Sequence, residues 1–249
     1  MVRGLDTFKE YFKGFENQYV IIGGAACDIL FASNEGQFRA TRDLDIVLIV
    51  EALTPEFGEG FWKFVESGKY RNKATSVGKS QFYRFDKPEN ESYPKMIELF
   101  ARTDFVLKEM DGLTPVYIDD EVSSLSAILL NDDYYDVLLA GRVVVQELPV
   151  LKQEYLILFK AKAYLDLSER KEKGEKVDSR DIKKHKNDIL RIVTEFILEK
   201  INDLPEAVHL DVGNFIKKLG GEPFDANLLK DFGLSNEEVV DRLRQLYGL

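Results

Sequence analysis

"YVIIGGAACDILFASNEGQFRATRDLDIVLIV", residues 19–50, places a glycine pair between an apolar run and a helical stretch, then sets two aspartates at the head of a second apolar run. The first run, ending at Ile22, has the aromatic and β-branched content of a buried strand. Gly23 and Gly24 turn the chain, and the small and apolar residues that follow predict a helix over about 24–33. Along the next strand, expected over 44–50, side chains alternate between the two faces. Asp43 and Asp45 therefore share one face while Leu44 and Ile46 point elsewhere.

Two carboxylates side by side in a partly buried site repel, and a proton, basic neighbours or a divalent cation must offset that repulsion. Mg²⁺ suits the pair, because it prefers oxygen ligands and commonly sits between one or two carboxylates and substrate phosphates. The same letters also fit a solvated pair at a strand entrance, with Arg39 and Arg42 as ion-pair partners. The glycines, too, have two readings. They permit a tight strand-to-helix turn, and their bare N–H groups beside a helix N-terminus favour an anion. Combined, the features describe a phosphate cradle, a helix, and a neighbouring strand that carries two metal ligands.

"IIGGAACDILF" followed by "RATRDLDIVL" resembles the signature of the nucleotidyltransferase superfamily with the DNA polymerase beta fold: a Gly-Gly or Gly-Ser turn, a spacer helix, then D-x-D. The order Arg39-x-Thr41-x-Asp43-x-Asp45 resembles the AbiEii branch, whose members include the toxins of toxin–antitoxin systems. That resemblance implies a mixed sheet with flanking helices, Mg²⁺ (or Mn²⁺) as cofactor and an NTP substrate held by Gly23, Gly24, Arg39 and Thr41. It also implies a third acidic residue on a later strand. "YPKMIELFAR" offers Glu98 for that place, where many family members have Asp; the alternative is an edge strand whose Glu98 faces solvent while Ile97 and Leu99 pack. The toxin branch further implies an RNA or tRNA hydroxyl as acceptor and a cognate antitoxin as partner.

Farther along, "LPVLKQEYLILFKAKAYLDL" and "SRDIKKHKNDILRI" resemble the two helical motifs of the AbiEii branch. Lys160 and Lys162 lie about 200° apart around a helix, so one site can hardly use both. Lys160 has Leu156, Ile157, Ala163 and Tyr164 as its helical neighbours and is the expected triphosphate contact. A lysine in such company can also pack its stem and send its head to water. Asp181, His185 and Asp188 share a helix face, and Asp188 is expected to orient Lys160 or the nucleotide; surface ion pairing accounts for the same spacing. No catalytic part is assigned to His185, and His209 reads as a packing or surface residue.

The remaining chain supports an α/β fold followed by a helical C-terminal region. Strand signals at 18–22, 81–86, 95–101 and 115–118 alternate with helix signals at 5–15 and in "PEFGEGFWKFVESGKY", entered through Pro55 and closed near Gly68. Residues 122–148 are ambiguous, although "GRVVVQEL" favours a strand. After Pro149 the patterns turn helical, with one helix ending at Gly174, a second over about 179–200, and a capping box at Ser235 and Glu238. The expected division is therefore a nucleotidyltransferase domain at 1–150 and a helical domain at 151–249.

With 249 residues, 45% of them hydrophobic, the chain can bury a substantial core. A net charge of −10 argues against broad adhesion to nucleic acid or anionic membrane, though not against a local basic groove. The single cysteine, Cys27, cannot form an internal disulfide, and no Cys/His cluster has zinc spacing. No stretch approaches the roughly 20 apolar residues of a membrane span. A soluble, cytoplasmic protein is the expectation. A non-catalytic nucleotide- or partner-binding module that retains the fold is the alternative to the enzyme.

Overall fold

The computed structural model describes residues 2–77, 80–101, 114–115, 128–129 and 131–249. The chain divides into two compact units, Met1–Ile118 with Arg142–Lys152, and Asp119–Gly141 with Gln153–Leu249.

The first unit is built on strands β1 (Tyr19–Ile22), β2 (Asp43–Leu48), β3 (Arg71–Val77), β4 (Ser80–Asp86), β5 (Met96–Ala101), β6 (Thr114–Pro115), β7 (Arg142–Val145) and β8 (Leu148–Leu151). Among the described residues they form one sheet in the order β6-β3-β4-β5-β2-β1-β8-β7. The sheet is mixed: β2 runs antiparallel to β1 but parallel to β5, and β1 runs parallel to β8. Of the sequence-predicted strand at 115–118, residues 116–118 lie outside the described residues.

Helices α1 (Leu5–Tyr11), α2 (Gly23–Ser33) and α3 (Pro55–Gly68) flank the sheet. The Thr54 hydroxyl accepts the Phe57 N–H at the start of α3, Pro55 occupies the first turn, and Lys69 ends the helix in the left-handed conformation. Phe8 from α1, Phe12 just after it, and Phe57, Phe61 and Phe64 from α3 form an aromatic cluster that reaches Tyr19 on β1 and Phe85 on β4. Alternation then dictates what the opposite face carries. If Tyr19 and Phe85 face the aromatic cluster, Ile22 and Arg84 project to the other side, as do their cross-strand partners Asp45 and Glu98.

The second unit is helical: α4 (Asp132–Ala140), α5 (Gln153–Glu172), α6 (Ser179–Glu195), α7 (Glu206–Lys218), α8 (Ala226–Asp231) and α9 (Asn236–Tyr247). Leu156, Leu167, Ile189, Leu190, Phe215, Val239 and Leu243 are buried in it. Ser235 and Glu238 form the reciprocal capping box at the start of α9, and Gly174 at φ +86 follows the end of α5. α6 is shorter than the sequence suggests. The last buried pair on its face is Ile192 and Val193, and Phe196 extends the chain at φ −116, ψ 146. No helix among the described residues is long and apolar enough to cross a membrane.

The architecture is thus the expected mixed α/β sheet with flanking helices and a helical C-terminal region.

Candidate functional site

Asp43 and Asp45 open β2 with a half-buried, buried, half-buried, buried alternation, so both carboxylates leave the strand on one face while Leu44 and Ile46 pack. The parallel register sets Asp45 beside Glu98, and the antiparallel register sets Glu98 beside Arg84. One row across β4, β5 and β2 therefore reads Arg84, Glu98, Asp45. The antiparallel partner of Asp45 on β1 is Ile22, the residue before the glycine turn.

The turn and one of the acids, Asp45, are in contact. Gly23 has φ +66, and a Cβ at this position would lie 2.1 Å from Asp45 Oδ2. The left-handed backbone disfavours a side chain there, and a Cβ would force the Asp45 carboxylate to shift. A Cβ on Gly24 would lie 2.7 Å from Thr41 Oγ1 and 3.6 Å from Arg39 Nη2. The glycine pair thus brings Asp45 against one residue and Thr41 with Arg39 against the next. α2 begins at this corner with no side-chain cap and no acidic residue of its own in the first turn, and the Asp45 carboxylate from β2 lies against its first residue.

Ala in place of Gly23 should cost about 1–3 kcal/mol in backbone strain alone, and should also displace the Asp45 carboxylate. Gly14 supplies the control, because its φ is +91 and a Cβ there meets nothing within 4 Å. Urea unfolding should show Gly23→Ala more destabilised than Gly14→Ala by the added clash; equal losses would mean the Asp45 contact carries no weight.

Glu98 is buried, and so is most of the Arg84 guanidinium that grips it, with Nε at 2.8 Å and Nη2 at 2.5 Å from Oε1. The parallel register sets the Glu98 carboxyl beside Asp45. Burial first, and then the Asp45 charge, push the Glu98 carboxyl well above the usual carboxylate range, while Arg84 opposes both. A solvent-facing Glu98 on an edge strand is not what forms, since β5 lies between β4 and β2. Arg84 is the residue that sequence reading missed. Its flanks, Tyr83 and Phe85, are buried, so alternation makes it an ordinary charge on the other face, and only the register with Glu98 marks it.

Among the described residues no three His, Cys, Asp or Glu side chains form a ready metal cage. Mg²⁺ does not require one: it keeps several waters and takes one or two protein carboxylates together with substrate phosphates. A pair of cross-strand neighbouring carboxylates, Asp45 and Glu98, with Asp43 on the same face and the glycine corner beside them, fits that habit in its hard oxygen donors.

In the second unit Lys160 and Asp188 meet at 2.7 Å, and both are buried, at 5% and 0% exposure. The Lys160 ammonium therefore does not snorkel to water. Lys162, on another side of α5, pairs with Asp211 at 2.9 Å. His185 is buried on the Asp188 face of α6, and His209 Nε2 lies 3.2 Å from the Tyr247 carbonyl.

No family model matches the chain, and no curated protein matches it. Among solved structures it is similar to an antigenic nucleotidyltransferase-like protein from Paracoccidioides brasiliensis, at 14% identity and a TM-score of 0.45 over 99% of this chain and 96% of that one. At that distance the chain's own residues carry the functional reading.

Proposed function

We propose that the first unit is the catalytic part of a metal-dependent nucleotidyltransferase, which moves a nucleoside monophosphate from an NTP to a hydroxyl acceptor. The observation that carries this is the contact of a strand-borne carboxylate, Asp45, with a left-handed glycine at the head of an uncapped helix. Such a corner brings negative side chains and an anion cradle into one place. Only a cation between them makes that favourable for a polyphosphate.

Asp43, Asp45 and Glu98 would hold Mg²⁺ (or Mn²⁺). Bound there, the metal supplies acidification of an acceptor hydroxyl and charge compensation on departing pyrophosphate. The remaining work falls to the chain. Gly23 and Gly24 present backbone N–H groups to the triphosphate, the α2 N-terminus adds its dipole, and Arg39 with Thr41 binds phosphate oxygens beside Gly24. Lys160, ordered by Asp188, is assigned to phosphate charge in the second unit. The R-x-T-x-D-x-D spelling extends the proposal to an RNA or tRNA acceptor and an antitoxin partner.

Incubation with each of the four NTPs, Mg²⁺, and RNA or protein acceptors should release pyrophosphate, and EDTA should abolish that release. No pyrophosphate under any combination would overturn the proposal. A non-catalytic nucleotide- or partner-binding module is the second reading, and the hold of Arg84 on Glu98 favours it, because that carboxylate already has a cation. Under that reading Asp43→Asn and Asp45→Asn leave the protein's biological effect intact.

A further inference from the structure

We propose that Arg84 is the positioning residue of the acid face: its guanidinium fixes Glu98 against Asp45 so that the two carboxylates present oxygens to one divalent cation. The inference rests on the metal-dependent reading given above, and it deepens that reading by naming the residue that organises the cation's ligands.

The geometry begins in the register. Arg84, Glu98 and Asp45 are successive cross-strand neighbours, so the pleat places them on one face without help from any loop. Glutamate is long and carries several rotatable bonds, and neighbouring Asp45 repels it when both are charged. Left alone, the side chain would turn away from Asp45 toward any better partner. Arg84 prevents this by placing two donors, Nε and Nη2, on the same oxygen, Oε1. Two donors from one planar fork hold Oε1 in place more firmly than a single ammonium contact would, and leave Oε2 for another partner.

Both partners are largely withdrawn from water, at 16% and 9% side-chain exposure, so the contact is screened much less than a surface pair.

The opposite role for the same contact is competition, in which Arg84 occupies the carboxylate and keeps the cation out. Removing a competitor tightens metal binding, whereas removing an organiser loosens it. Mn²⁺ affinity of the full chain, measured by electron paramagnetic resonance without NTP, separates the two.

Arg84→Gln should weaken Mn²⁺ binding by about 10–100-fold, the usual loss when a partner that orients a metal ligand is removed. Arg84→Lys keeps the charge but loses the fork, and should recover to within severalfold of the wild type without reaching it. Circular dichroism and thermal melts in EDTA establish that each variant is folded. If Arg84→Gln does not fold, Arg84→Lys decides alone, and affinity equal to or tighter than wild type overturns the proposal. Equal or tighter binding by a folded Arg84→Gln overturns it as well, while leaving the metal-dependent reading standing. Absence of Mn²⁺ binding by the wild-type chain removes both together.

Discussion

Asp45→Asn should lower nucleotidyl transfer by roughly 10³-fold or more, since a metal-held carboxylate contributes several kcal/mol to charge stabilisation in the transition state. The substitution is informative because Asn preserves the shape that rests on Gly23 and removes only the charge. In EDTA its effect on stability should have the opposite sign. The Asp45 charge is the second-largest influence raising the Glu98 carboxyl, after burial, so removing it relieves a repulsion that the metal-free protein carries. A variant less active yet at least as stable as wild type is the signature of a strained functional site. The measurements are kcat for pyrophosphate release and a urea titration in EDTA. Activity within tenfold of wild type would mean that the acid face does not perform the chemistry. Glu98→Gln is the contrasting variant: it leaves the Arg84 guanidinium buried without its carboxylate, and should lose stability as well as activity.

Much of the acid face was legible because it depends on local periodicity. Two aspartates two residues apart on a strand must share a face, and a glycine pair between strand and helix must turn, so Asp43, Asp45, Gly23 and Gly24 could be read from residues 19–50 alone. Glu98 was legible as a costly acid between Ile97 and Leu99, but its neighbour was not. The pairing of Asp45 with Glu98 arises from a parallel register between segments about fifty residues apart, which no local pattern encodes. Arg84 escaped for a related reason. Its partner lies across an antiparallel register, and within "SQFYRFD" it reads as an outward-facing charge on an ordinary strand. The ambiguous stretch at 122–148 illustrates competing local signals. "DDYYDVLLA" is rich in residues that also suit strands, and the decision falls to Asn131, whose side chain accepts the Tyr134 N–H, and to Asp132 and Asp133 in the first turn of α4. "GRVVVQEL" does become strand, with β7 and β8 joined through Gln146 and Glu147, both at positive φ.

Asp188→Ala should destabilise the protein by about 3–5 kcal/mol, because it removes the carboxylate that the buried Lys160 ammonium contacts. That is a large share of the roughly 5–15 kcal/mol that holds a typical domain together. Lys160→Ala should cost a similar amount by removing the ammonium from the buried carboxylate instead. The nearby Lys162→Ala supplies the scale for an ordinary pair. Its partner Asp211 is reached across a partly exposed contact, at 34% and 18% side-chain exposure, and the loss should stay below about 1 kcal/mol. Replacing both buried partners by apolar residues, as in Lys160→Met with Asp188→Leu, should recover most of the stability, since the desolvation of two charges is removed along with their attraction. Urea unfolding followed by helical circular dichroism measures all four variants. The double variant then separates architecture from chemistry. If it folds and retains NTP turnover, the pair serves only to hold α5 to α6. If it folds with the KM for NTP raised at least tenfold, Lys160 binds the triphosphate and Asp188 positions it. A loss below 1 kcal/mol in Asp188→Ala would show that the ammonium finds another partner, and the buried pair would then specify neither the fold nor the site.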